Sequence, residues 1–362
     1  MVDVAGKEDA VVKREKHSSF VYAENVELLP TKVVKPEAPK RTPQFKHAYL
    51  QFRLGKQNPN IHFTHYQSPS AFRIAGAFIP RSLKYMHIYD YRLSPYMSCT
   101  KRCIYCFELV NKNVRKNEVK VKTNTVKYVR KVLLTLNERK AVLVDGYDCE
   151  EIEKDTKLLR NSLNVLLEFK MPVFVQTKSS LVLRDIDKLE RLSECTKLTT
   201  VAFSLTSLEE EHARIFEPYT TSPEERIRAM QKLSSRGILT GIILMPILPF
   251  ISDTNKVLEH VFSEAASVGC SYVIPEPLRV TGVGPQRNNV FQLIKKYYSE
   301  LLPKYERLYP RDPYGPEFGT RPRSRTYLYN LFQRIRAKGR KYKISTTFPR
   351  KIETNLNPAR TR

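Results

Sequence analysis

Thr200-Val201-Ala202-Phe203-Ser204-Leu205 is followed by a polar stretch, by Ser222-Pro223-Glu224-Glu225-Arg226, by Gly237, and by Leu239-Thr240-Gly241-Ile242-Ile243-Leu244-Met245. The first and last runs are short and mostly apolar, as strands covered on both faces are. Between them Ser222 is an N-cap residue, Pro223 sits in the first helical turn and Gly237 lies just past the end. That spacing predicts a helix over Pro223–Arg236. Strand, helix, strand is one βα unit, and its right-handed crossover makes the two strands parallel neighbours.

The same rhythm extends in both directions. Strands are expected at Tyr85–Asp90, Ala141–Val144, Val173–Thr177, Thr200–Leu205, Leu239–Met245 and Ser271–Ile274, with further helices over Thr156–Phe169 and Thr254–Val268. About six units at intervals of roughly 30 residues predict an α/β fold. The expected form is a partial (β/α)6 barrel of the TIM type with basic N- and C-terminal extensions. Chemistry then belongs at the C-terminal ends of the strands. The expected boundaries are a mobile tail over 1–45, an N-terminal extension over 46–84, the partial barrel over 85–287 and a basic helical C-terminal region over 288–362.

The chain has 362 residues, is 41% hydrophobic and carries a net charge of +25. That apolar share supplies a core and excludes wholesale disorder. The excess charge is unevenly placed. Residues 46–140 hold 19 basic against 4 acidic side chains and residues 301–362 hold 16 against 4, whereas residues 141–300 hold 19 against 22. Two basic flanks therefore surround an electrically ordinary middle, and an acidic partner is implied. The longest apolar run, Gly241–Ile251, contains two prolines and falls short of the roughly 20 residues of a membrane span. The N-terminus has no apolar signal core. Six cysteines in this length do not make a disulfide scaffold. A cytoplasmic chain with no membrane contact is expected.

The strongest local pattern is Ser98-Cys99-Thr100-Lys101-Arg102-Cys103-Ile104-Tyr105-Cys106-Phe107. Three thiolates from one short loop can hold three irons of a 4Fe–4S cluster and leave the fourth iron open. Zinc is the competing metal, but a structural zinc site wants a fourth ligand. His87 lies on the wrong side of the motif, within the predicted strand. Cys195 and Cys270 read as core residues, so no second cluster is expected.

This C-x3-C-x2-C loop with its following aromatic, after the first strand of a six-fold βα pattern, resembles the radical S-adenosylmethionine (SAM) superfamily. Gln176-Thr177-Lys178-Ser179 with Leu183-Arg184-Asp185-Ile186, Ala202-Phe203-Ser204-Leu205-Thr206 with Glu217-Pro218, and Met245-Pro246-Ile247-Leu248-Pro249 with Ser252-Asp253 narrow it. Over about Tyr91 to Leu278 the chain is similar to the spore photoproduct lyase-like branch. The resemblance implies that Cys99, Cys103 and Cys106 ligate the cluster and that the open iron chelates SAM. It further implies that one-electron cleavage yields a 5′-deoxyadenosyl radical that abstracts hydrogen. Phe107 would pack near the adenine, and Lys178 and Ser204 would contact the SAM carboxylate. The residues agree with this, since a strand-end lysine can make a charged hydrogen bond to a carboxylate.

The resemblance departs at Val144-Asp145-Gly146-Tyr147-Asp148-Cys149-Glu150-Glu151, where related families show a Thr-Asp-Pro-Tyr-like turn. Asp145, Asp148 and Glu151 are the candidates for the SAM amino group, with Glu151 assigned to the cofactor. Cys149 lies near the place from which a cysteine of spore photoproduct lyases returns a hydrogen atom. It is a candidate donor as well as a plausible buried thiol. Arg184 and Asp185 read as a structural pair. Glu217 either meets substrate or cofactor or shapes its loop.

Lys112–Lys140 and Arg321–Lys343 are rich in cations, the latter interleaved with Tyr327, Tyr329, Phe332 and Tyr342. Cations track phosphates and aromatics stack on bases, so nucleic acid is the expected partner, beside an electron donor. The combined expectation is a lyase-like radical SAM enzyme acting on nucleic acid. A radical SAM enzyme of a protein or small molecule is one alternative. A non-catalytic nucleic-acid-binding iron–sulfur protein is another, and Lys178 and Ser204 beside the three cysteines argue against it.

Overall fold

A computed structural model of the chain describes residues 61–68, 72–74, 89, 91–107, 117–136, 141–196 and 199–348. The chain divides into two units, Met1–Lys35 and Pro36–Arg362, and every described residue belongs to the second. The expected mobile tail, much of the N-terminal extension and all of Tyr85–Asp90 except Tyr89 lie outside the described residues.

In chain order the strands are β1 (His62–Tyr66), β2 (Phe72–Ile74), β3 (Tyr91–Leu93), β4 (Tyr96–Met97), β5 (Glu118–Lys122), β6 (Val142–Val144), β7 (Val173–Thr177), β8 (Thr200–Leu205), β9 (Leu239–Ile247) and β10 (Tyr272–Pro277). The α-helices are α1 (Thr125–Leu133), α2 (Glu150–Thr156), α3 (Leu158–Glu168), α4 (Ile186–Thr196), α5 (Glu210–Phe216), α6 (Pro223–Ser234), α7 (Asn255–Ser267), α8 (Pro285–Tyr297), α9 (Leu302–Leu308) and α10 (Arg325–Tyr342).

One sheet runs β10-β9-β8-β7-β6-β3-β2. Its pairs are parallel from β3 to β10, and β2 lies antiparallel on β3. Among the described residues this gives six adjacent parallel strands, the α/β arrangement of a partial barrel. The first of them among the described residues is Tyr91–Leu93, where Tyr91 and Leu93 pair with Val142 and Val144 and fix the register. A second sheet, β1-β5-β4, was not anticipated. Glu118-Val119-Lys120-Val121-Lys122 alternates as a strand does, yet its lysines had placed it in a basic run.

Alternation within each parallel strand separates two cores. Val142, Val144, Val173, Val175, Val201, Phe203, Ile242, Leu244 and Val273 join the layer beneath the helices. Leu143, Phe174, Ala202, Ile243, Tyr272 and Ile274 form the inner cluster, with Tyr89 and Phe348. Gly241 is required here, because a Cβ at that place would fall 2.1 Å from the Tyr272 ring. Continued toward the strand ends, the inner parity brings Asp145, Gln176, Lys178, Ser204, Met245 and Glu276 to the mouth.

The helices seal the other face. Ser222 caps α6 in a full capping box with Glu225, and Thr254 caps α7. The helix expected over Thr156–Phe169 is α3, Leu158–Glu168, and the left-handed Lys157 separates it from α2. After α10 the chain returns to β10, where Val273 N donates to Ser345 O at 2.8 Å and so covers the sheet edge.

Four of the nine cations in the C-terminal basic run, Arg321–Lys343, are engaged in this packing. Arg334 donates to Asp253 O at 2.5 Å. Lys338, Lys341 and Tyr342 converge on Glu259 of α7. Arg321 pairs with buried Glu276. Lys122, from the other flank, is buried and donates to Ser94 O at 2.9 Å.

Candidate cofactor site

Ser98 to Phe107 crosses the C-terminal end of the barrel and is tied to several of its loops. Thr100 Oγ1 donates to Asp148 O at 2.9 Å, Lys101 Nζ meets Glu150 Oε1 at 2.9 Å, and Ile104 N donates to Phe216 O at 3.0 Å. Tyr105 OH donates to Glu217, and Gln286 Nε2, from the first turn of α8, donates to Tyr105 O at 3.2 Å. The loops after β6, β8 and β10 thus hold it. Within it, Cys106 N donates to Cys103 O at 2.9 Å, which closes a tight turn between the last two cysteines. Ser98 (φ 72°) and Arg102 (φ 48°) are left-handed, a conformation few non-glycine residues adopt.

Cys103 is buried, and Cys99 and Cys106 are half-buried. Burial pushes the Cys99 and Cys103 thiols up to about 12. For Cys99 the charges of Asp148 and Cys106 add to this. For Cys103 the Lys178 ammonium pulls the other way. Such thiols lose their protons to a metal that takes their place. Among the described residues, no three His, Cys, Asp or Glu side chains form a single-ion site. Thiolates that each bind a different iron of a cluster do not need to meet at one point.

Lys178 and Ser204 stand at the ends of β7 and β8, with Nζ 2.7 Å from Oγ. Lys178 Nζ also lies 5.9 Å from the centroid of the Tyr105 ring, between Cys103 and Cys106 in sequence. The structure therefore brings these two predicted residues to the cysteine loop.

The three acidic candidates separate cleanly. Asp145 pairs with Arg92 Nε at 2.5 Å. Asp148 Oδ1 accepts from Thr177 Oγ1 and Lys178 N, each at 2.7 Å. Glu151 retains a buried Oε2 without a partner. Phe107 meets Phe318 edge-on at 6.1 Å. Cys149 is buried with Tyr96, Val119, Val121, Ile152 and Leu158, near Cys99, and its Sγ donates to Ser98 O at 3.6 Å.

Sequence reasoning missed the support beneath Ser204. Arg226 is fully buried and pairs with Glu217 Oε2 at 2.7 Å. It also donates to Ser204 O at 2.8 Å. Thr206 Oγ1 donates to Glu217 Oε1 at 2.6 Å. Burial alone would raise the Glu217 carboxyl; Arg226 first, then Lys178 and the hydroxyl donors, hold it at about 2. The signal was available, since Arg226, Met230 and Leu233 share one helical face and the latter two are core residues. The Arg184–Asp185 pair is structural, as expected. Arg184 bridges buried Asp185 (2.7 Å) and Glu153 (2.5 Å), and Arg160 and Tyr147 also reach Asp185.

The residues fit a cluster with SAM. Three thiols in one loop, a buried carboxylate oxygen without a partner and a lysine–serine pair at two strand ends are donor types that suit those groups.

Residues 93–261 match the Radical SAM superfamily. An uncharacterized protein of Mycobacterium tuberculosis is 24% identical over 239 residues, covering 63% of this chain and 69% of its own. Another, from Methanocaldococcus jannaschii, is 28% identical over 173 residues, covering 46% and 64%. Spore photoproduct lyase complexed with dinucleoside spore photoproduct superposes with a TM-score of 0.56 at 17% identity, over 77% of this chain and 79% of that one. A double mutant of that enzyme with bound AdoMet and dinucleoside spore photoproduct gives 0.57 at 17%, over 85% and 84%. These structural likenesses show a common fold.

Proposed function

We propose, for a chain whose residues 93–261 belong to the radical SAM superfamily, that Cys99, Cys103 and Cys106 hold three irons of a 4Fe–4S cluster. The group supplies one-electron cleavage of SAM to methionine and a 5′-deoxyadenosyl radical, which takes a hydrogen atom from the substrate. Lys178 and Ser204 bind the SAM carboxylate, Glu151 takes its amino group through the free Oε2, and Phe107 lies toward the adenine. Arg226 and Glu217 hold Ser204 and Tyr105 in place from beneath. Cys149 is the candidate hydrogen donor to the product radical.

The observation that carries this reading is the Lys178–Ser204 pair at the ends of adjacent strands, beside a loop of three shielded thiols. Anaerobically reconstituted protein with SAM and dithionite tests it by formation of 5′-deoxyadenosine. Cluster-loaded protein that binds no SAM would end the enzyme reading.

Nucleic acid is the proposed substrate class, supported by the net charge of +25 and by the dinucleoside bound to the solved lyase. Five of the cations in Lys112–Lys140 (Lys112, Arg115, Lys116, Arg139 and Lys140) lie outside the described residues. Of the rest, Lys127, Lys131, Arg323, Arg325, Arg336, Arg340 and Lys343 are exposed. Arg336, Arg340 and Lys343 line an open recess of about 370 Å³ with Ser345 and Thr346 and no acidic side chain. Phosphates suit such a lining. The cluster also needs an external electron donor. Among the described residues, no helix is long and apolar enough to cross a membrane. All six cysteines are free thiols, which suits the reducing cytoplasm.

A further inference from the structure

The cysteine loop carries two consecutive cations that meet opposite surroundings. Lys101 is buried but paired, 2.9 Å from Glu150 Oε1, and Thr221 Oγ1 donates to the same oxygen. Arg102 follows it, and its Nε and Nη2 are sealed from solvent with no acceptor. Two carboxylates that meet the loop are already engaged: Glu150 by Lys101 and Glu217 by Arg226. Arg102 stands in the loop between Cys99 and Cys103. Burial pulls Arg102 down from its ordinary range, and the negative forms of Cys99, Cys106 and Cys149 push back. A guanidinium in this setting is costly unless an anion joins it.

We propose that Arg102 is a positioning residue for charge, held beside the thiolates so that it stabilises the reduced cluster and raises its reduction potential. The proposal rests on reading Cys99, Cys103 and Cys106 as iron ligands. A 4Fe–4S core with three thiolates passes from one net negative charge to two on gaining an electron. A fixed cation in a poorly solvated place favours the second state over the first. The electron comes from the external donor, and no bond or proton changes at Arg102. Lys101 cannot serve in the same way, because Glu150 neutralises it.

The test uses the full chain as wild type, Arg102→Lys, Arg102→Gln and Arg102→Met, each reconstituted anaerobically. The reduced fraction is followed by electron paramagnetic resonance in a mediated redox titration, with iron content assayed alongside. Gln and Met should lower the reduced fraction at fixed potential about tenfold, a midpoint shift of about 59 mV to more negative values for one electron. Lys should stay near wild type. Loss of the cluster from Gln and Met with its retention in Lys would equally show that the charge is needed. Equal midpoints in all four proteins overturn the proposal, as does a Lys variant that behaves like Gln. Wild-type protein that takes up no iron defeats the ligand reading instead, so the two failures are distinct.

Discussion

Lys178 Nζ lies 2.7 Å from Ser204 Oγ, bridging the ends of two neighbouring parallel strands. The serine hydroxyl donates onward to Met245 O at 3.2 Å, so it accepts from the ammonium. An ammonium has three donors, and a carboxylate entering the mouth can be bound without breaking this contact. The pair is also supported from below, because Arg226 holds Ser204 O and the Glu217 carboxylate together.

Lys178→Met should weaken SAM binding to the cluster-loaded protein by about 10- to 100-fold, the worth of one hydrogen bond from a charged group. Ser204→Ala should cost less, about 3- to 10-fold. Anaerobic equilibrium dialysis reads both. Unchanged affinity in the lysine variant would place the carboxylate elsewhere.

Glu217 gives the fold a pH dependence of definite sign. Its folded carboxyl sits at about 2 against an ordinary 4.5. A depressed value means stability that is complete above about pH 4.5 and is lost as pH falls toward 2. The linkage is on the order of 3 kcal/mol. Glu217→Gln leaves the buried Arg226 charge without its partner and should cost about 3–5 kcal/mol at neutral pH. Urea midpoints of the two proteins should converge as pH falls through the acid range. A gap that stays constant there would mean that Glu217 is not ionised in the folded protein.

The parallel strands were legible because strands covered on both faces are apolar runs, and the helix of the Thr200–Met245 unit was legible because Ser222, Pro223 and Gly237 mark its ends. The cysteine loop declared its own chemistry. The buried cations were not legible. Lys101 and Arg102 are adjacent and look alike in sequence, and only the fold brings Glu150 to one and thiols to the other. Lys122 and Arg334 read as free surface charge until Ser94 O and Asp253 O stand beside them. A basic composition therefore overstated the open basic surface.

Cys149 is buried packing and the proposed hydrogen donor, and one variant separates the two roles. Its thiol is 1% exposed among apolar side chains, beside Cys99. Cys149→Ala should leave 5′-deoxyadenosine formation in place and reduce the yield of finished product, with abnormal products in its stead. Chromatography of the products decides this. An unchanged product distribution would leave Cys149 as packing alone.

Salt dependence tests the nucleic-acid reading most directly. If about six phosphates are neutralised, affinity for DNA or RNA should fall on the order of a thousandfold between 50 and 200 mM salt. The open cations of α10 and its following turn make the more specific case. Arg336, Arg340 and Lys343 line one recess with no acidic side chain, whereas Lys338 and Lys341 are already held by Glu259. Replacing the first three by Gln should reduce the slope of log affinity against log salt by about one for each phosphate contact removed. Replacing Lys338 should instead lower stability and leave the slope alone. Filter binding gives the slopes. If the triple variant keeps the wild-type slope, the phosphates lie on another face, and the recess has no part in holding the substrate.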